Sequence, residues 1–133
     1  CSDNFLKKSY RYPLTGSGKL NLYAIFAETF SQITNKTGCF ALITPTGIVT
    51  DYESKEFFQN LVETDRLTAI YEFVNEKKIF QAVAPPQRFC ILVSGYRNGE
   101  EFIVSIGNRA IETIQKNSIT MNKFQIMKLN PRD

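Results

Sequence analysis

The chain contains no histidine and no tryptophan. Without histidine it has no imidazole general base, no Ser-His or Cys-His nucleophilic pair, and not the commonest nitrogen ligand of zinc. Its three cysteines, Cys1, Cys39 and Cys90, are widely spaced, and no Cys-x-x-Cys occurs. That excludes a paired redox motif and a thiolate zinc cluster, so no metal site is expected. Cys39 and Cys90 each sit in an apolar run, where a free cysteine behaves as a small hydrophobe. The pattern points to a reducing, cytoplasmic compartment. No apolar run approaches the length of a signal or membrane segment, so no membrane partner is expected. Strong charge of one sign is lacking too: 16 Lys and Arg against 13 Asp and Glu leave +3. That balance is too mild to argue for nucleic acid by itself.

What is present is a folding composition. The 133 residues are 43% hydrophobic and 13% aromatic, which suits one domain and is too short for two. Residues 1–20 lack clean periodicity and read as a lead-in loop containing Pro13, Gly16 and Gly18. Leu22, Ile25, Phe26, Phe30 and Ile33 then recur at helical spacing, with Asn21 placed as N-cap and Gly38 just past the end. Residues 39–44 are short, continuous and apolar, the pattern of a strand buried on both faces. Thr50 and Glu53 have capping-box spacing ahead of a second helix over 51–63, whose inner face is Phe57, Phe58, Leu61 and Val62. Residues 67–74 read as a strand, so strand, helix and strand compose a βαβ unit with a parallel sheet. Residues 89–95 read as another buried strand. Asn98-Gly99 marks a turn, and residues 101–106 can return as a hairpin arm. Residues 109–116 and 122–129 are weaker helical candidates. The terminal Asn130-Pro131-Arg132-Asp133 reads as an interruption.

The stretch TGSGK at 15–19 invites a nucleotide reading. A phosphate loop requires Gly-x-x-x-x-Gly-Lys-Ser/Thr, because the lysine reaches phosphate oxygens and the hydroxyl binds magnesium. Aligned on Gly18-Lys19, the first glycine falls on Pro13 and the hydroxyl on Leu20. Both positions fail, and no strand-like run precedes the loop. A flexible turn that delivers a capped helix is the better reading.

The segments GSGKLNLYAIFAETF, GCFALITPTGIVTDYESKEFFQNLVE, LTAIYEFVNEKKIFQAV and RFCILVSG follow one another in an order that resembles a known family. They are similar to the DNA adenine-N6 methyltransferase domains of type IIG, Eco57I-like restriction–modification and phage-defence proteins. The resemblance covers roughly residues 12–95, with a weaker echo in FQIMKLNPRD. It implies an α/β fold: the second half of a doubly wound, Rossmann-like methyltransferase sheet, with parallel strands and a terminal antiparallel hairpin. Residues 39–44 would be its fifth strand, 67–74 its sixth and 89–95 its reversed seventh. One partial domain follows: a lead-in loop over 1–20, an αβαβ-β core over 21–95, and a hairpin arm with a helical extension over 96–133.

Two family motifs are missing. These enzymes carry a Gly-rich loop for S-adenosylmethionine and an Asn/Asp/Ser-Pro-Pro-Tyr/Phe/Trp loop after the fourth strand. Ala84-Pro85-Pro86-Gln87 has the wrong first and last residues and lies beyond the sixth strand. The resemblance therefore implies a fragment that starts after the catalytic loop, with no catalytic residue and no cofactor of its own. S-adenosylmethionine would belong to the intact parent, and the implied partners are double-stranded DNA and the remainder of the methyltransferase domain. Strand 39–44 would expose an edge and promote self-association. The alternative is a non-catalytic α/β module that binds DNA or a subunit.

The same resemblance marks candidate residues. Phe80 lies in the loop where related enzymes place an aromatic ring against the flipped adenine; it could equally plug the core beneath that loop. Lys77, Lys78 and Arg88 flank it, and Lys19 lies in the first loop. Each is a candidate phosphate contact or an ordinary surface charge. Pro45, Thr46 and Gly47 end the strand that the resemblance makes the fifth, where open α/β sheets place ligands, though the same triplet is common before helices. Asp51, Glu53 and Glu56 read as helix-start residues rather than acid–base groups.

Overall fold

In the computed structural model, which describes residues 2–96 and 99–129, helices and strands alternate around one mixed sheet. The elements are α1 (Ser2–Lys8), α2 (Leu22–Ile33), β1 (Cys39–Pro45), α3 (Gly47–Thr50), α4 (Lys55–Glu63), β2 (Leu67–Val74), β3 (Arg88–Gly95), β4 (Glu101–Asn108), α5 (Ile114–Asn117), β5 (Ser118–Asn122) and α6 (Lys123–Leu129). The α/β class agrees with the sequence. No helix among the described residues is long and apolar enough to cross a membrane.

The sheet order is β1-β3-β2-β4-β5. β3 lies between β1 and β2 and is antiparallel to both. The two strands of the expected parallel βαβ unit, β1 and β2, do point the same way, but β3 is hydrogen-bonded between them. β2–β4 is the parallel pair among the described strands. β4 also departs from the expected hairpin with β3. Both edges of β3 are already taken, so the next strand finds a free edge on β2, where Phe102 and Val104 become buried. The antiparallel hairpin comes one step later, between β4 and β5. β5 has only the short alternation Ile119, Met121 as its signal. Asn98 of the expected turn lies outside the described residues, as do Cys1 and residues 130–133.

The core is built by α3 and α4 against one face of the sheet. Ile48, Phe57, Leu61 and Val62 meet Leu67, Ile70, Leu92, Phe102 and Val104. α2 closes this core with a different face from the expected one. Its buried residues are Ala24, Ile25, Ala27 and Glu28, while Leu22 and Ile33 are 69% and 71% exposed. Ala24 and Ala27 enter the core cluster, and of the large apolar residues Ile25 is buried while Leu22, Phe26, Phe30 and Ile33 are left outside.

Other local expectations change as well. Residues 2–8 are helical, not loop. β1 is an edge strand with alternating burial, so Cys39, Ala41 and Ile43 are exposed rather than enclosed. Asn21 has the extended backbone of an N-cap and its carbonyl accepts from the Ala24 and Ile25 amides, but its side chain makes no capping bond. The Thr50–Glu53 capping box does not form. Thr50 closes α3 instead, its hydroxyl donating to the Thr46 carbonyl at 3.3 Å.

Candidate functional site

The parallel directions of β1, β2 and β4 put their carboxyl ends on one side of the sheet. Pro45 pairs with Phe89, Phe89 with Phe73, and Phe73 with Asn108. This is the end where open α/β sheets hold ligands. Two clefts open there. One is lined by Tyr23, Pro45, Thr46, Gly47, Asp51 and Arg88. The second shares Pro45 and Arg88 and adds Ile43, Phe80, Val83 and Phe89. The structure thus brings together Pro45, Thr46, Gly47, Phe80 and Arg88. Lys77 and Lys78 are exposed in the turn after β2, and Lys19 is exposed in the first loop; none of the three lines these clefts.

In the first cleft the Tyr23 hydroxyl donates to Asp51 Oδ2 at 2.9 Å. Burial, and then the Asp51 carboxylate, push the Tyr23 pKa up to about 12. Gly47 leaves room for this pair: a Cβ there would meet both Asp51 Oδ2 and the Tyr23 hydroxyl and force one of them to shift. Asp51 does stand at a helix start, as N-cap of the 3-10 turn Tyr52–Ser54 ahead of α4, but its carboxylate is engaged by Tyr23 and makes no capping bond. The buried Thr46 hydroxyl has no hydrogen-bond partner among the described residues.

The second cleft has an aromatic wall. Phe73 and Phe89 stack nearly parallel, with centroids 5.3 Å apart and planes 7° apart. Phe80 meets Phe89 edge-on at 4.9 Å and 74°. Phe80 is 37% exposed, so its ring both packs and presents a surface. Arg88 is committed before any phosphate arrives. Its Nη1 donates to Glu72 Oε1 at 2.9 Å, and Glu72 Oε2 accepts the Gly107 amide at 3.1 Å. Glu72 lies inside the apolar-looking β2, where nothing in the sequence announces these partners.

The entrance to TGSGK, at Leu14 and Thr15, does hold an anion, but an internal one. The Leu14 and Thr15 amides donate to the two Glu28 carboxylate oxygens at 3.1 and 2.9 Å, and the Thr15 hydroxyl also donates to Oε2. Glu28 is 1% exposed. Gly16 is spent on a tight turn, its amide donating to the Tyr12 carbonyl at 2.8 Å. The loop is thus pinned to α2 with those amides consumed. Among the described residues no group of three His, Cys, Asp or Glu side chains could hold a metal ion. Burial raises the pKa of the Cys90 thiol, which suits a core residue and not a nucleophile.

A five-stranded mixed sheet with helices packed on it and two clefts at its strand ends defines the class as α/β. The family model for the Eco57I restriction-modification methylase matches residues 2–80, and the chain belongs to that family. The matched span runs from α1 to Phe80 itself. A comparison with curated proteins finds no match.

Proposed function

We propose that the chain is the second half of an adenine-N6 DNA methyltransferase domain. It supplies sheet scaffold and a base-holding loop, and the rest of the domain docks beside β1. The observation that carries this is an unpartnered apolar surface on that side. Leu22, Phe26, Phe30 and Ile33 form an exposed stripe on α2. Phe30 continues it to Phe40 of the edge strand, ring centroids 6.4 Å apart. The outer edge of β1 is unpaired among the described strands. An exposed stripe beside a free strand edge is what a sheet shows when its neighbour is missing. The reversed β3 also suits the strand roles that the family resemblance assigns.

In this reading the flipped adenine lies against the exposed Phe80 ring in the cleft beside Pro45. Lys77, Lys78 and Lys19 meet DNA phosphates, with Arg88 held on the rim by Glu72. The methyl group comes from S-adenosylmethionine, whose cradle these residues do not provide: α1, not a strand, precedes the glycine loop, and Glu28 takes the Leu14 and Thr15 amides at its start. The chain's own part is to shape the base pocket and exclude water from it.

The first test is the coding sequence upstream of Cys1. A Gly-rich loop followed by an Asn-Pro-Pro-aromatic loop is expected, and the absence of both overturns the proposal. The second test mixes the chain with that upstream half and follows labelled methyl transfer to adenine in duplex DNA. Neither half alone should transfer; together they should.

A further inference from the structure

Asn75 is the first residue after β2 and is fully buried, at 0% exposure. An asparagine side chain offers two N–H donors and a carbonyl acceptor. Here Nδ2 donates to the carbonyls of Phe80 at 2.9 Å and Val83 at 2.8 Å, and Oδ1 accepts the Phe80 amide at 3.0 Å. The Asn75 backbone is equally engaged. Its N–H donates to the Gln87 carbonyl, and its C=O accepts from the Lys78 amide, both at 2.9 Å. One residue therefore ties the loop at its start, its middle and its end.

Besides Asn75, the loop is held by a largely exposed ion pair from Arg109 Nε to Glu76 Oε2 at 3.0 Å and by the Phe80 ring on Phe89. Residues 76–82 are exposed. Its other backbone bonds are local, from Val83 to Phe80 and from Gln87 to Ala84. Lys78 adopts the left-handed conformation, with φ 51°, a cost that the surrounding bonds must offset. At Phe80 the peptide groups on both sides of the ring's Cα are relevant: the Asn75 amide holds the residue's own N–H and its own C=O. That fixes the origin of the side chain and seats the ring edge-on against Phe89.

We infer that Asn75 is the positioning residue for Phe80. It presents the ring at the cleft before any base arrives, so that stacking need not also order the loop. Its consequence for methyl transfer rests on the proposed role of Phe80; the positioning itself is a property of this chain alone. No other side chain replaces it. Aspartate removes both donors and sets a carboxylate against two carbonyls. Glutamine is a methylene too long for the same three atoms.

Because the chain has no tryptophan, Phe80→Trp gives a single indole reporter at the loop. Acrylamide quenching of that indole is compared with and without Asn75→Asp or Asn75→Ala, alongside amide exchange at Phe80 in the unlabelled series. Loss of the clamp should make the indole more accessible. It should speed exchange at Phe80 about 10- to 100-fold, the shift expected when buried bonds of this kind are lost. Exchange at Leu92 in the core is the control and should hold. Unchanged quenching and exchange overturn the inference. If the variants fail to fold, the native chain decides: the Asn75 side-chain amide protons should exchange slowly, and solvent-fast exchange overturns the inference. In the reconstituted methyltransferase, Phe80→Ala tests the other reading separately. Stacking that survives it removes the base-holding role and leaves the quenching result standing.

Discussion

α2 and α4 read alike in the sequence, as amphipathic helices with apolar residues at helical spacing, yet the fold uses them in opposite ways. In α4 the large residues Phe57, Leu61 and Val62 turn inward and are 1%, 0% and 2% exposed. In α2 the large residues Leu22, Phe26, Phe30 and Ile33 turn outward, and Ala24, Ile25, Ala27 and Glu28 face in. Periodicity reports that a stripe exists, not which surface covers it. A helix in the middle of a layer spends its stripe on its own sheet. A helix at a boundary can close the core with small residues and keep the stripe for a neighbour. α2 lies over edge strand β1, and it behaves as a boundary helix.

The largest effect should come from breaking the α4 side. Leu61→Ala removes a fully buried side chain and leaves a cavity among Phe57, Leu67 and Leu92. The expected loss is about 2–5 kcal/mol, read as a fall in the urea midpoint without a change in slope. A loss under about 1 kcal/mol would mean that α4 is no more central than α2.

A smaller effect should come from the bond that joins the two helices. Tyr23 stands in the first turn of α2, and Asp51 in the connection that leads to α4. Tyr23→Phe should cost at most about 1 kcal/mol near neutral pH, since the pair is partly solvated. Its signature is alkaline. The folded chain raises the Tyr23 pKa to about 12, so the folded state holds this proton more tightly than the unfolded one. The stabilisation is complete below the ordinary tyrosine value of about 10 and is lost as pH rises from there to about 12. The native chain should therefore lose more stability than Tyr23→Phe across that window. Parallel pH profiles would remove the bond from the account.

The α2–α4 contrast also explains what the sequence could and could not disclose. α2, α4, β2 and β3 were legible because their apolar spacing spans several turns or a whole strand. The strand order was not, because local periodicity carries no information on which edge a strand will join; only the occupied edges of β3 send β4 to β2. At the site, Phe80 and the Pro45–Gly47 turn were visible through the family's order of segments, and the two clefts bring them side by side with Arg88. Asn75, Glu28 and Glu72 were not visible. Each is a polar residue used inside the protein, and its value lies in partners 5 to 35 residues away along the chain. Nothing in the residue types around them announces those partners.

The smallest effect on the free chain should be Phe26→Gln, and it is the sharpest test of the contrast. Phe26 is 59% exposed in the middle of the α2 stripe. Little of its ring leaves water on folding, so stability should change by no more than about 0.5 kcal/mol. Association should respond instead. With the edge of β1 and the α2 stripe both open, the native chain should self-associate as concentration rises, and Phe26→Gln should shift that equilibrium toward monomer in sedimentation runs. If the proposed upstream half docks on this stripe, the same substitution should weaken its recruitment, while Leu61→Ala acts there only through loss of folded chain. If Phe26→Gln instead destabilises the free chain as much as Leu61→Ala does, the α2 stripe belongs to this chain's own core, and the β1 side has no vacancy to fill.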